Sequence, residues 1–294
     1  MRVAVLSDVH ANWEALTAVM AHMQSQSIDA CWFLGDVMGY NADAIRCSQK
    51  LQQIVSPEGW IAGNHDRGVT GQLSHGYFPN HDARHKSEAW IVVEKHMVDM
   101  ADKVEDVKFL AGLPSYRRPQ HRGVEFNDVW LVHGRVTQHE NKAFEEIDNL
   151  TGNQSYIYRY TEDTVYANKT WEVLANRGNE PPRIILAGHT HHAMVWRRTM
   201  AETNSSYGWI VSDDDQSRRL SHQSLALRED TLWINPGSIG QPRDGNPQAS
   251  YALLDFNKNE VVFHRVPYDI EKTQKKMQQQ GYPQRFIQRL AEGK

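Results

Sequence analysis

Short apolar runs alternate with amphipathic segments along the first third of the chain. The runs RVAVLS, DACWFLGD and GWIAGN predict buried strands, because their apolar positions are nearly continuous. Helical spacing begins after Asn12, which can cap a helix, and again over residues 41–54, where Asn41 is the expected cap. This alternation of strands and helices favours an α/β core with parallel strand pairing.

Two further helical patterns cover residues 82–113, ending at Pro114, and residues 161–177. Between them, GVEFNDVWLVHG has the pattern of a hairpin with Asn127 and Asp128 at its turn. The buried strand PRIILAGH is followed by five strand patterns that are separated by turn residues: HAMVWRR, YGWIVS, LWINPG, YALLDF and EVVFHRV. These late strands predict a second, mainly antiparallel sheet.

We expect residues 1–294 to form a single domain, since the chain has no internal repeat, long linker or low-complexity tract. The polar stretch over about residues 201–228 predicts an inserted hairpin or loop, and its run Asp213–Asp215 is typical of a solvated surface. Helical segments over about residues 268–294 are expected to form a C-terminal tail.

The composition is that of an ordinary soluble globular protein, with 40% hydrophobic and 23% charged residues. A formal net charge of −4 argues against a polycationic surface, so we expect no stable complex with nucleic acid. The chain shows neither a signal-peptide pattern nor an apolar run of bilayer length, which favours a cytoplasmic protein without a membrane partner. Cys31 and Cys47 are expected to be buried thiols rather than ligands or a disulfide.

Carboxylate, amide and imidazole side chains recur where the predicted strands end. They are Asp8, His10, Asp36, Asn64, His133, His189 and His191. Ligands of open α/β sheets bind beyond the carboxyl ends of the strands, so these side chains would converge on one crevice. Residues two apart project to the same side of an extended segment, so each D-x-H or H-x-H pair can face one point.

This donor set indicates a metal site. Oxygen and imidazole donors without thiolates suit Mn²⁺, Fe²⁺, Zn²⁺, Ni²⁺ or Co²⁺. The set is larger than one tetrahedral ion needs, whereas two ions that share a carboxylate would use all of it. Each residue alone has an ordinary alternative as a cap, a turn residue or a core histidine; their recurrence in order favours the metal site.

The ordered motifs resemble the signature of the calcineurin-like metallophosphoesterases. The matching segments are D-x-H at residues 8–10, G-D at 35–36, G-N-H-D at 63–66, V-H-G at 132–134 and G-H-T-H at 188–191. N-P-G-S at residues 235–238 is similar to a motif of the bacterial phosphodiesterase branch. The resemblance runs from residue 1 to about residue 266. It implies an α/β fold: a four-layer α/β/β/α sandwich, with two mixed sheets flanked by helices.

The resemblance also implies a role for each site residue. The first ion would be held by Asp8, His10 and His191, and the second by Asn64, His133 and His189. The implied catalytic residues are Asp36, which would bridge the ions, and His65, which would contact the phosphate and assist the leaving group. The implied cofactors are two divalent ions, with Mn²⁺ as the first choice and Fe, Zn, Ni or Co as alternatives.

One departure from the protein Ser/Thr phosphatases narrows the expected substrate. Those enzymes place an Asp and an Arg shortly after G-D, whereas residues 35–41 here are GDVMGYN. Without that Arg a dianionic monoester loses a bidentate partner, which favours a diester or a phosphoanhydride. Candidate substrate contacts next to the motifs are Asn12, Arg67, Arg135 and Arg243, for which capping or surface ion pairing is the alternative.

We therefore expect a dinuclear metal-dependent phosphoesterase that hydrolyses phosphodiester or phosphoanhydride bonds by in-line attack of a metal-bridging hydroxide. Its expected partner is a small phosphorylated substrate, such as a nucleotide. One alternative is a phosphomonoesterase, including one that acts on phosphoproteins. Another is a non-catalytic scaffold of the same fold, although every expected ligand and the catalytic histidine are present. Oligomeric state is not predicted.

Overall fold

The computed structural model describes residues 1–78, 87–134, 182–198, 206–210, 217–220 and 231–294. Its helices are α1 (Trp13–Met23), α2 (Ala44–Ile54), α3 (Asn64–Val69), α4 (Glu88–Asp99), α5 (Val104–Gly112), α6 (Ile270–Gln279) and α7 (Gln284–Arg289). Its strands are β1 (Arg2–Leu6), β2 (Ala30–Phe33), β3 (Tyr116–Arg117), β4 (Gln120–His121), β5 (Val124–Glu125), β6 (Val129–Val132), β7 (Ile184–Ala187), β8 (Ala193–Arg198), β9 (Ser206–Ile210), β10 (Ser217–Leu220), β11 (Thr231–Pro236), β12 (Ala249–Asp255) and β13 (Glu260–Val266). The helix predicted over residues 161–177 lies outside the described residues.

Most of these strands form two mixed sheets. The first has the order β10-β13-β12-β1-β2, in which β1 is parallel to β2 and antiparallel to β12. The second has the order β3-β6-β7-β11-β8-β9, in which β7 is parallel to both β6 and β11. The parallel strands of each sheet therefore end at a common edge, as the α/β pattern of the sequence predicts.

The two faces of β1 show how the layers pack. Val3 and Val5 belong to the core between the two sheets, while Ala4 and Leu6 pack in the core that includes helix residues such as Leu16. All four are completely buried, which explains why the strand is apolar without alternation. Each fully buried Val or Leu side chain contributes about 1.5–3 kcal/mol to folding.

Two of the early strand predictions are wrong. GWIAGN contributes only an isolated parallel bridge between Phe33 and Trp60, because its next residues turn into α3. The predicted hairpin is also wrong: Asn127 and Asp128 do form a turn, in which the Val129 N–H donates to the Phe126 carbonyl at 3.0 Å, but β6 pairs with β3 and β7 in the second sheet. The hairpin is instead β4–β5, where Arg122 and Gly123 supply the positive φ angles that a tight turn needs.

The late strands do not form a sheet of their own. β8, β9 and β11 extend the second sheet, whereas β12 and β13 join β1 in the first. Every residue of β12 and β13 is buried, so these strands need a layer on each face. Within residues 201–228, β9 pairs with β8 and β10 pairs with β13, so these two strands are not a hairpin with each other.

Only one of the two residues predicted to cap a helix does so. Asn12 caps α1, as predicted, by accepting a hydrogen bond from the Ala15 N–H at 3.1 Å. Asn41 is not a cap, because α2 begins only at Ala44; its amide donates to the His10 carbonyl at 2.8 Å. That bond ties the loop after β2 to the end of β1, where the predicted ligands lie.

The cysteines are free thiols, as predicted: Cys47 is buried and Cys31 is partly buried. Burial raises the pKa of the Cys31 thiol to about 11, so this group is not a reactive thiolate. In the described part of the chain, no helix combines the length and apolarity needed to cross a bilayer.

Candidate metal centre

The seven predicted ligands lie together where strands of both sheets end. Asp8 and His10 follow β1, His133 follows β6, and His189 and His191 follow β7. The two others lie beside them: Asp36 in the loop after β2, and Asn64 at the first position of α3. All seven are buried, and the most exposed of them retain 7% of their surface. A cluster of this polarity in a protein interior needs a partner for its charges.

The first ligand group consists of Asp8, His10 and His191. The Nδ1 atoms of His10 and His191 each lie 2.6 Å from a backbone carbonyl oxygen, of Met38 and Gln241 respectively. A carbonyl only accepts, so each Nδ1 carries the proton and each Nε2 presents a lone pair. Burial, and then the charge of Arg243, hold the pKa of His191 well below its usual range, which keeps this ring neutral.

The ligand atoms of this group fit a cation. The Nε2 atoms of His10 and His191 lie 3.0 Å apart, and Asp8 Oδ1 lies 3.6 Å and 3.3 Å from them. Asp8 Oδ1 accepts no hydrogen bond from any described residue, since Ser7 Oγ and the His189 N–H both donate to Oδ2. Three acceptor atoms that face one another without a proton between them are the arrangement a metal ion would satisfy.

The second ligand group consists of Asn64, His133 and His189. His133 Nδ1 donates to the Leu34 carbonyl at 2.7 Å, and its Nε2 lies 3.2 Å from Asn64 Oδ1. Burial would lower the pKa of His133, but the facing Asp36 carboxylate raises it to about 9. Burial lowers the pKa of His189 to about 3, with a further contribution from His133. The site therefore favours a positive charge beside His133, which a divalent cation would supply by displacing the proton.

Asp36 lies between the two groups. Its Oδ1 accepts the backbone N–H of His65 at 2.8 Å, while Oδ2 lies 3.2 Å from His133 Nε2 and 3.8 Å from His10 Nε2. One carboxylate thus points at both sets of imidazoles, which is the arrangement that a bridging ligand requires. The donor clusters Asp8–His10–His191 and Asp36–His133–His189 are each compact enough to hold an ion.

The backbone is strained at this centre. Five predicted ligands have left-handed φ angles between 46° and 67°: Asp8, His10, Asp36, His189 and His191. Such angles cost about 1–3 kcal/mol each in residues with side chains, and they concentrate at functional sites. Surrounding hydrogen bonds hold them in place. The N-P-G-S motif supplies two: Ser238 Oγ donates to the Asp8 carbonyl, and Asn235 Nδ2 donates to the Gly188 carbonyl, each at 2.8 Å.

His65, the predicted catalytic histidine, lies against the loop after β2. Its ring is 3% exposed and contacts the rings of His10, Tyr40 and Phe78. A Cβ added to Gly39 would lie 2.3 Å from His65 Nδ1, so only glycine leaves room for this ring. Burial, opposed by Asp36 and reinforced by His10 and Arg243, holds the pKa of His65 well below its usual range.

Asp66, the last residue of the G-N-H-D motif, shapes the turns around the centre. Its Oδ2 accepts the N–H groups of Asp36 at 2.8 Å and Gly63 at 3.1 Å, and its Oδ1 accepts the Met38 N–H at 3.1 Å. Burial and the neighbouring Asp36 raise the pKa of this carboxyl to about 6. Asp66 thus ties two segments together: the loop that contains Asp36, and the start of α3, which contains Asn64 and His65.

Two of the predicted substrate contacts are hydrogen-bonded to other parts of the protein. Arg67 is buried, and its Nη2 donates to the Leu113 carbonyl at 2.6 Å and to Ser115 Oγ at 3.2 Å. Asn12 is completely buried: Oδ1 caps α1, and Nδ2 donates to the Gly240 carbonyl at 2.9 Å. Both side chains use their polar atoms to hold the fold.

The other two predicted contacts have different outcomes. Arg243 lies at the centre, where its Nη2 donates to the Tyr40 hydroxyl and to Gln241 Oε1, both at 3.0 Å. Its charge lowers the pKa values of His65 and His191, so it acts on both the ligands and the predicted catalytic residue. Arg135 lies outside the described residues.

Sequence reasoning missed two residues that shape the centre. Tyr40 lies with its ring centroid 4.6 Å from those of both His10 and His65. His96, from α4, holds the same loop: Nδ1 accepts the Gly39 N–H at 3.1 Å, and Nε2 lies 2.9 Å from the Asn41 carbonyl. The only signal was a histidine among the apolar residues of a helix, which alone does not indicate what it contacts.

Comparison with known proteins agrees with this geometry. Residues 1–259 match the family model of the calcineurin-like phosphoesterase superfamily domain. The chain belongs to this superfamily. Its members are phosphoesterase hydrolases that use divalent metals, so the predicted superfamily and fold class are confirmed. The buried Asp and His clusters are groups that could bind such metals.

Two similar solved structures and one curated relative span the whole chain. The crystal structure of a metallophosphoesterase from Sphaerobacter thermophilus has 28% sequence identity and a TM-score of 0.72, with 100% of both chains covered. Protein PH1004 from Pyrococcus horikoshii OT3, with 16% identity and a TM-score of 0.64, shares the fold over 100% of this chain and 98% of its own. The uncharacterized protein MJ0912 of Methanocaldococcus jannaschii is 30% identical over 99% of this chain and 98% of its own length.

Proposed function

We propose that this chain is a dinuclear metal-dependent phosphoesterase that hydrolyses phosphodiester or phosphoanhydride bonds of small nucleotide-like substrates. The observation that carries the proposal is the convergence of acceptor atoms around Asp36, with lone pairs of His10 and His191 held 3.0 Å apart. Asp8, His10 and His191 would hold one ion, Asn64, His133 and His189 the other, and Asp36 would bridge them. Mn²⁺ is our first choice, with Fe, Zn, Ni or Co as alternatives.

When bound, two ions at such a centre lower the pKa of a shared water to about 7 and act as Lewis acids on the phosphoryl oxygens. The protein residues fix the geometry of the attack. Asp36 directs one oxygen toward both ligand groups, while its other oxygen is occupied by the His65 N–H. Backbone carbonyls fix the tautomers of His10, His133 and His191, so their Nε2 atoms all point into the centre.

His65 would hydrogen-bond the phosphate and deliver a proton to the leaving oxygen. Its low pKa leaves the ring neutral before substrate binds, and an arriving phosphate would raise that pKa by its negative charge. The rings of Tyr40 and Phe78 pack around the imidazole, which excludes water from it and strengthens its interaction with a developing charge.

The loop after β2 supports a diester or an anhydride as substrate. Where the protein Ser/Thr phosphatases carry Asp and Arg, this chain has Gly39 and Tyr40, and Gly39 leaves space for the His65 ring. The guanidinium at this place comes instead from Arg243, which donates to the Tyr40 hydroxyl. Arg243 is therefore our proposed contact to a phosphate group of the substrate, without a choice here between the scissile group and a neighbouring one. We also propose that the substrate is free in solution rather than part of a membrane or a nucleic acid.

A Mn²⁺-dependent assay on bis-p-nitrophenyl phosphate and on p-nitrophenyl phosphate tests the proposal. We expect faster hydrolysis of the diester. Preference for the monoester would favour the phosphomonoesterase alternative. No turnover of either compound with any divalent metal would favour the non-catalytic scaffold. Extending the assay to dinucleoside polyphosphates and cyclic nucleotides would then separate anhydride from diester substrates.

A further inference from the structure

The C-terminal helices are fastened beside the metal centre. Lys276 of α6 forms ion pairs with Glu14, in the first turn of α1, at 3.0 Å and with Asp43, the residue before α2. In the turn between α6 and α7, the Tyr282 hydroxyl lies 3.2 Å from His96 Nε2, the same nitrogen that contacts the Asn41 carbonyl. A buried apolar cluster joins this tail to the loop after β2 through Tyr40, Val92, Met277, Tyr282, Phe286, Ile287 and Leu290.

This anchoring places Arg289, at the end of α7, on the ring of Tyr40. The Arg289 guanidinium carbon lies 4.9 Å from the centroid of that ring, and the guanidinium carbon of Arg243 lies 5.4 Å from the same centroid. The Tyr40 ring in turn lies 4.6 Å from both His10 and His65. Two guanidinium groups from distant parts of the sequence are thus one ring away from the metal centre.

The two positive charges are held near each other although they repel. Burial and then the charge of Arg243 lower the pKa of Arg289 to about 10, against Tyr40, which raises it. The Nε and Nη2 atoms of Arg289 are buried and make no hydrogen bond to any described residue. No described carboxylate forms an ion pair with Arg289. Buried guanidinium donors without an acceptor are costly, and an anion that accepts their hydrogen bonds would remove that cost.

We propose that Arg289, together with Arg243 and Tyr40, forms an anion subsite that binds a second phosphate group of the substrate. This inference rests on the proposed function, in which the metal centre binds the scissile phosphoryl group. The expected substrate class is then a phosphoanhydride that carries at least one phosphate beyond the scissile one. Between the diester and anhydride substrates of the proposed function, the subsite selects the anhydride.

A purely structural role for Arg289 predicts different behaviour. Its guanidinium carbon also lies 4.7 Å from the centroid of the Phe286 ring, so the side chain could serve only to pack α7. In that case its loss would lower stability and would weaken the binding of one phosphate and of several phosphates equally. If Arg289 belongs to an anion subsite, its removal should instead weaken mainly the binding of anions that carry several phosphates.

Calorimetric titration of the Mn²⁺-loaded full chain with inorganic phosphate and with tripolyphosphate distinguishes the anion subsite from a purely structural role. The free Mn²⁺ concentration is kept equal in cell and syringe. For Arg289→Gln we expect the Kd of tripolyphosphate to rise about tenfold or more and that of phosphate by less than about threefold. The matched control is Arg285→Gln, which removes the same charge from an exposed position on the same helix. It should change neither Kd by more than about twofold.

Equal changes in both Kd values for Arg289→Gln, or an equal effect of Arg285→Gln, would overturn the subsite. If Arg289→Gln unfolds at a lower temperature or binds less metal, Arg289→Lys is the deciding variant. It keeps the charge but loses the planar fork, so it should weaken tripolyphosphate binding by less than Gln does. The proposal would also be contradicted by the following pair of results. The folded, metal-replete Arg289→Lys variant would bind tripolyphosphate with the native Kd, and Arg289→Gln would weaken the binding of phosphate and tripolyphosphate equally.

The same variants distinguish failure of the inference from failure of the proposed function. Tripolyphosphate binding that depends on Arg289, in a chain that hydrolyses no phosphate ester or anhydride with any divalent metal, supports the subsite and refutes the enzyme. Hydrolysis of bis-p-nitrophenyl phosphate, combined with tripolyphosphate binding that is indifferent to Arg289, supports the enzyme and refutes the subsite.

Discussion

The first ligand group and the loop after β2 lie side by side, but they are held in different ways. In the ligand group of Asp8, His10 and His191, each ring is fixed by a carbonyl oxygen 2.6 Å from its Nδ1. In the loop, by contrast, Gly39 and Tyr40 are held from outside: His96 of α4 accepts the Gly39 N–H, and Arg243 donates to the Tyr40 hydroxyl.

The difference separates two tasks. The ligand group is built from residues whose chemical type alone suggests a metal site, and its support comes mainly from the backbone. The loop is built from residues that are ordinary by type, and side chains that are remote in sequence support it. Under the proposed function, the first region would hold a metal ion, whereas the second would shape how the substrate is received.

The largest expected effect is on Asp36, which lies between the two ligand groups. Asp36→Asn removes the shared charge, so we expect loss of at least one bound metal ion and a fall in kcat/KM on the order of 10³-fold or more. Elemental analysis of the purified variant together with the diester assay measures both quantities. A variant that keeps its metal content and its activity would show that Asp36 is not a bridge.

The next effect falls on His65, which belongs to the α3 segment that packs against the loop. His65→Ala should keep both metal ions, because no predicted ligand role is lost, but kcat should fall about 10²–10⁴-fold. Metal content and kcat are measured on the same preparation. Normal turnover by a metal-replete variant would remove His65 from the catalytic residues.

A sharper test of the loop is Gly39→Ala. Gly39 has a φ of +98°, and the added Cβ would meet His65 Nδ1 at 2.3 Å, so we expect His65 to be displaced and kcat to fall about tenfold or more. The matched control is Gly71→Ala, with a φ of +77° and nothing within 4 Å of the added Cβ. The control should share the cost in stability, about 1 kcal/mol, but keep kcat.

The smallest expected effect on catalysis is at Arg67. Its guanidinium donates to the carbonyls of Leu113 and Ala111 and to Ser115 Oγ, so Arg67→Met should lower the free energy of unfolding by about 1–3 kcal/mol. KM should stay within about twofold of the native value. Denaturant unfolding and steady-state kinetics measure the two effects; a large rise in KM at unchanged stability would restore Arg67 as a substrate contact.

The same contrast explains what could be predicted from the sequence. The alternation of strands and helices gave the α/β core, and the polar residues at strand ends gave the ligand cluster, because both depend on local pattern and residue type. The pairing of β12 with β1, and of β13 with β12, could not be predicted, since burial on both faces shows that a strand is covered but not by which neighbour. Nor could the contact between Tyr40 and Arg289, which are separated by most of the chain.

Whether the centre works with two metal ions is tested by titrating Mn²⁺ into chelator-treated protein, with bound metal and diester hydrolysis measured at each step. We expect two ions to bind per chain and turnover to reach its maximum only as the second ion binds. Binding of a single ion at full activity, or turnover that does not depend on added metal, would contradict this expectation.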